Sequence, residues 1–332
     1  MASNGTHLLS NQLYCAFTLP PISNTSWNNT SLGTNVSVNQ LGVTAWIYCT
    51  SVLCVVGATL NLFVLILITK YSVLRTGVGH LIAHLLLCQM IMCAAIIPVS
   101  VHRITTVPKD LNLIYCRECK EKHPFQVIFT AIINWNEGIL SLNRLLGGIA
   151  PIYYHNLNSR RMQYGSLLLP WSLVLLFAVP PAFDVWGVYL MSGIGACTLV
   201  PRHVVSVTLF VLNGYVSIVL TFVAAVGIIA RFQFTAHHKK RTVEATNNAA
   251  ALAPAVGPRV TPPFVASNWF SERQKRVSKM LVATSVSSIC CQLPHYAFLL
   301  AGLAPKYSLT MGYLTALAYV HFTATPVRLP DV

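Results

Sequence analysis

Glu137 stands inside an apolar run, Phe125 to Tyr154, with Asn134 and Asn136 beside it and Asn143-Arg144 further along. The run is long enough to cross a bilayer, for which about 20 residues suffice. A charged side chain at bilayer depth costs at least about 2.5 kcal/mol on insertion scales. These residues must therefore face a protein interior, where a carboxylate meets donors and a guanidinium meets acceptors. Ion pairing, proton relay and exchange between alternative hydrogen-bond partners are the chemistries they offer. Signs of catalysis are not expected, with no metal-type HxxxH or HExxH cluster, no GxSxG and no paired carboxylates anticipated. No metal site, cofactor or enzymatic activity is expected.

A lone helix gains nothing from such residues, so the rest of the chain should supply a bundle around it. Hydrophobic residues make up 55% and charged residues 9% of the 332, against about 25% charged in soluble domains, and the mean hydropathy is +0.61. The apolar residues fall into long runs. The composition predicts an all-α membrane protein. The net charge of +14 follows topology rather than nucleic-acid affinity. Of 22 Lys and Arg, 14 lie in segments that an outside amino terminus would place in the cytosol, 7 lie outside, and Arg144 sits at the inner edge. That is the positive-inside bias.

Residues 1–42 form a polar tail with five glycosylation sequons, at Asn4, Asn24, Asn28, Asn29 and Asn35, which places the amino terminus outside. Seven spans follow, at about 43–69, 80–101, 125–150, 164–183, 203–230, 280–302 and 309–329. Pro98 should kink the second. Residues 231–279 read as a long cytosolic loop with basic ends and an Ala/Pro/Gly-rich, disordered centre. Cys15, Cys116, Cys119 and Cys197 would be extracytoplasmic, where disulfides persist.

Order and spacing of several features resemble the rhodopsin-like (class A) family of G-protein-coupled receptors. They are Gly57 and Asn61 with Val64 in the first span, Cys119 and Asn143-Arg144-Leu145 at the two ends of the third with Pro151 beyond, and Trp171 in the fourth. Cys291-Gln-Leu-Pro294 in the sixth and Thr325-Pro326-Val-Arg-Leu329 in the seventh complete the set. The resemblance implies a plasma-membrane receptor with a heterotrimeric G protein and an extracellular ligand as partners, membrane lipids around it and no nucleic acid. It implies a Cys119–Cys197 disulfide, with Cys116 as the alternative partner and Cys15–Cys116 as a candidate second bridge. It also makes Asn143, Arg144, Leu145, Pro294 and Pro326 the switch residues. Because guanidinium does not deprotonate, Arg144 needs an acceptor in every packing of the bundle.

The departures are informative. Asn143 replaces the acidic neighbour of Arg144, Gln274 stands where some members carry a glutamate, Gln89 replaces the acid of the second span, and Thr325 replaces an asparagine. A core polar network of Asn61, Gln89, Glu137 and Thr325 is expected instead, with Glu137 satisfied by His84, Gln89 or Asn61. Leu329 replaces a tyrosine and the chain stops three residues later, so a non-coupling fragment stays as an alternative. So does a seven-helix channel or carrier with a relay through Glu137, His84, Gln89 and Arg144.

On the outer side, Gln126, Thr130, Gln292, His295, Tyr296, Leu299, Thr315 and Tyr319 are expected to line a polar, neutral pocket. Packing of His295 and Tyr296 into the core is the plainer alternative. The family's amine receptors carry an aspartate where this chain has Gln126, so a biogenic amine is not expected. A retinal Schiff base needs a lysine and the seventh span has none. A neutral small molecule, a lipid or a peptide is left, and the Asn143-Arg144 pair is similar to that of melatonin-type receptors.

Overall fold

The structure is a computed structural model and describes residues 40–71, 79–106, 114–115, 117–149, 159–191, 197–201, 203–252, 283, 286–298 and 308–327. The five sequons, Cys15, Cys116, Pro151, Gln274, Leu299, Leu329 and the centre of the long loop lie outside these. So do the side chains of Arg144, Thr325 and Pro326, although helices run through their backbones.

Seven helices are described. They are α1 (Gln40–Lys70), α2 (Gly79–Thr106), α3 (Arg117–Ile149), α4 (Arg160–Ala182), α5 (Val204–Val211, continued by Leu212–Val216 and Ser217–Leu252), α6 (286–298) and α7 (Ser308–Val327). Helix α1 shows how the sequence makes them pack. Its buried residues, Val43, Trp46, Thr50, Cys54, Gly57, Asn61, Val64 and Ile68, recur every three or four positions and form one inward stripe. The opposite side exposes Val52, Val55, Leu62, Phe63 and Ile66. In water such a surface would mark a binding patch, and in a bilayer it is the lipid face. Trp46 Nε1 donates to Gly312 O at 2.7 Å and Tyr313 OH to Gly42 O at 2.8 Å, which ties α1 to α7.

Helix α3 is the axis. Ile128, Ala131, Ile132, Ile133, Asn134, Asn136 and Leu140 are all buried, so it is enclosed around most of its circumference. It packs against α2, α4 and α5. It begins at Arg117, ahead of the apolar run, and α5 continues to Leu252 through residues read as loop. Both differences have one cause: hydropathy marks where a helix leaves the bilayer, not where it stops being helical. The Lys-, Arg- and Ala-rich continuation of α5 has adequate helix propensity of its own.

Pro98 acts earlier in α2 than expected. A π-helical turn at Met92–Ile96 precedes it and includes Ala94, whose carbonyl Pro98 has no N–H to satisfy. A second π turn, Leu212–Val216, interrupts α5.

The bundle also carries a three-stranded antiparallel sheet that the sequence did not announce. Strand β1 is Ile114–Tyr115, β2 is Gly187–Met191 and β3 is Cys197–Pro201, in that order across the sheet. Strands β2 and β3 form a hairpin with Met191 opposite Cys197 and Gly187 opposite Pro201. Cys197 is disulfide-bonded to Cys119 at the start of α3, with 5.6 Å between their Cα atoms. Tyr189, buried in β2, donates its hydroxyl to Ala178 O of α4 at 3.1 Å. The hairpin is thereby fixed to two helices at one end of the bundle.

Candidate functional site

Polar side chains inside the bundle fall into layers along α3. In the outermost, Gln126 Nε2 donates to Tyr319 OH of α7 at 2.7 Å, and Ser100 Oγ of α2 donates to Gln126 Oε1 at 3.0 Å. His295 Nδ1 lies 3.2 Å from Thr315 Oγ1, which joins α6 to α7. Arg103, buried at the outer end of α2, lies close enough to act electrostatically on His123 and Tyr319.

One turn or two further in, Asn134 Nδ2 donates to Tyr296 OH of α6 at 2.6 Å. Tyr215 OH of α5 donates to the carbonyl of Tyr296 at 2.6 Å, and Trp135 Nε1 donates to Asn213 Oδ1 at 3.0 Å. Helices α3, α5 and α6 meet here at close range because residue 214 is glycine. A Cβ there would come within 2.7 Å of Tyr296 Cε1 and 2.9 Å of Cδ1. The ring cannot step aside while its hydroxyl and carbonyl are both bonded. Gly214→Ala is therefore expected to cost about 1–3 kcal/mol as an overpacking change, read as a lower melting temperature in detergent. Gly227→Ala should cost less, because the nearest atoms its Cβ meets are side-chain carbons of Leu145, the closest a flexible methyl end.

Facing α4, Trp171 Nε1 donates to His84 Nε2 at 3.1 Å, and the Asn136 amide meets His84 Nδ1 at 3.0 Å. The indole has only a proton to give, so Nε2 is the acceptor and the imidazole proton sits on Nδ1. The amide oxygen of Asn136 belongs at that contact. Contrary to the expectation that no HxxxH occurs, His80 and His84 have that i, i+4 spacing, which would suit a metal. His80 is exposed, and among the described residues no group of three His, Cys, Asp or Glu could hold an ion.

The innermost described layer is built on Glu137. Its Oε1 lies 2.5 Å from His321 Nε2 of α7 and accepts from Gln89 Nε2 of α2 at 3.4 Å. Its Oε2 accepts from Ser288 Oγ of α6 at 3.0 Å. The Glu137 and His321 side chains are 11% and 4% exposed. Of the three expected partners, only Gln89 reaches it. His84 serves Trp171 and Asn136, and Asn61 Nδ2 bonds to Gly57 O of its own helix at 2.7 Å. His321 and Ser288 were missed. The available signal was that a carboxylate at this depth needs a donor from a facing helix, and His321 is the only histidine in the seventh span.

The remaining positions are placed as follows. Thr130 and Asn143 are half-buried, Gln292, Tyr296 and Leu145 are buried, and Pro294 is exposed. The switch and pocket residues thus lie along the same helices, while several of the pocket residues bond to one another.

A seven-helix bundle with a disulfide from the outer end of α3 to a hairpin between α4 and α5 invites comparison with known proteins. Residues 60–327 match the family described as 7 transmembrane receptor (rhodopsin family). The chain belongs to that family. It is a multi-pass membrane receptor of the family and not an enzyme. Its fold is similar to that of squid rhodopsin, with a TM-score of 0.63 over 86% of this chain and 80% of that one at 15% identity. Octopamine receptor 2 of Lymnaea stagnalis is 24% identical over 173 residues. That match takes in 48% of this chain and 26% of that receptor's length.

Proposed function

We propose that the protein is a plasma-membrane receptor that transmits binding of an extracellular ligand to a cytosolic heterotrimeric G protein. The observation that carries this reading is that one helix, α3, links all the polar layers. Outside it bonds to α2 and α7 through Gln126, in the middle to α6 through Asn134, and further in to α2, α6 and α7 through Glu137. A ligand that competes for the outer bonds biases the packing of the inner ones, because it shifts the bundle toward whichever arrangement binds it better. Arg144 lies two turns further along the same helix. The basic stretch His237–Arg241 belongs to the continuation of α5, where a partner protein or anionic lipid headgroups would meet it.

A neutral small molecule, a lipid or a peptide fits the outer layer best. Although one relative is named for an amine, Gln126 offers no carboxylate, and its amide is bonded to Tyr319 and Ser100. Retinal is disfavoured too, since α7 contains no lysine. The channel or carrier reading finds less support, because the ring nitrogens of His84 meet Trp171 and Asn136 rather than Glu137.

The test is a panel of G-protein reporters in cells with surface expression measured in parallel, ligand-free and with amines, lipids and peptides applied. Octopamine is expected to be inert, with activation by a non-amine ligand. Activation by octopamine at low concentration would overturn the ligand reading while supporting the receptor reading.

A further inference from the structure

Of the eight acidic residues in the sequence, only Glu137 lies within one of the seven apolar spans. Its two oxygens serve different helices. Oε1 takes α2 and α7 through Gln89 and His321, and Oε2 takes α6 through Ser288. At the inner end of α3 the sequence neighbour of Arg144 is the neutral Asn143. Helix α6 is held to its neighbours at a second place, about two turns outward, where Tyr296 bonds to Asn134 and Tyr215.

We propose that the Glu137 junction is the restraint that keeps α6 and α7 against α3 in the resting receptor, with Ser288 as its release point. The proposal rests on the receptor reading above. A helix held at Tyr296 and swinging its inner end outward breaks the Ser288–Glu137 bond. The Glu137–His321 contact survives that motion, because it lies between α3 and α7. Ser288 therefore positions the switch while His321 and Gln89 still donate to the buried carboxylate. Removing one hydroxyl-to-carboxylate hydrogen bond should shift the ratio of active to resting receptor by about tenfold.

Ser288→Ala and Ser288→Thr would be compared with the wild type in the full-length chain, at matched surface expression. One readout is basal G-protein activation. The other needs no G protein: the emission of a bimane on Cys290, an exposed thiol of α6, with the other reactive thiols changed to serine. Ser288→Ala should raise basal activation and shift the emission, and Ser288→Thr, which keeps the donor, should do neither. A destabilised bundle would lose activity instead of gaining it. A shifted emission with no G-protein signal in any variant would support the restraint and count against coupling. Unchanged emission and unchanged basal activity in Ser288→Ala would overturn the restraint. So would loss of that variant from the surface, because a release point must be dispensable for assembly.

Discussion

Replacing His321 with leucine is expected to destabilise the bundle by about 3 kcal/mol, the upper end of the effect of leaving a buried hydrogen-bonding group without its partner. Among the described residues, the substitution leaves the Glu137 carboxylate in the bilayer with Gln89 at 3.4 Å and Ser288 at 3.0 Å. Neutral contacts between helices elsewhere in the bundle are worth less. Interhelical hydrogen bonds in membranes average about 0.6 kcal/mol and reach about 2 kcal/mol, so Tyr296→Phe, which removes the Asn134 contact, should be the milder change. The cost at His321 comes from the carboxylate left behind, so it should shrink when the carboxylate is also removed. The Glu137→Leu, His321→Leu double variant should therefore cost less than the sum of the single variants. The expected coupling lies in the range of about 0.5–3 kcal/mol seen for residues in contact. Thermal unfolding in detergent measures all three, and strict additivity would show that the two side chains do not interact.

The second large effect is expected from the disulfide. Serine at Cys119 or Cys197 opens a closure of 78 residues, for which the chain-entropy estimate is about 4.5 kcal/mol. That overstates the effect here. Helices α3 and α4 remain helical in a bilayer even when unpacked from the bundle, so the flexible part of the closure is much shorter. About 2–4 kcal/mol is the expectation, with reduced surface expression and a hairpin held by Tyr189, its packing and its pairing with β1. Cys119→Ser and Cys197→Ser should match each other and the double variant, as measured by surface labelling and melting temperature. A Cys197→Ser variant that melts like the wild type would contradict this account.

Much of the bundle was legible because membrane helices announce themselves. The apolar runs at 43–69, 80–101 and 164–183 correspond to α1, α2 and α4, and the only tryptophan of the fourth run, Trp171, turns inward to His84. The sheet was not legible. Strands of five residues such as Gly187–Met191 carry no periodic signal, and this hairpin depends on the Cys119 tether 78 residues away and on Tyr189 reaching back to Ala178 of the preceding helix. Glu137 was legible as a buried carboxylate, but its partners were not. Which donor reaches it depends on the rotation of α2, α6 and α7 about their own axes, and apolar runs without a polar face leave that rotation unmarked. Asn61 was expected at the junction and instead bonds within its own helix. His321 looked like one polar residue among several on α7 and proved to be the nearest partner. The pocket residues taught the same lesson, since Gln126 and Tyr319 were placed facing the same space and turned out to be bonded to each other.

The central claim is that the chain activates a G protein through the inner end of α3. The most direct measurement is nucleotide exchange on purified heterotrimeric G proteins by the full-length protein in lipid discs, wild type beside Arg144→Ala. Equal folding would first be verified by melting temperature. The account predicts exchange above background with the wild type and its loss, by tenfold or more, in Arg144→Ala. Exchange that is equal in the two proteins, or absent from a well-folded wild type across the G-protein classes, would contradict it.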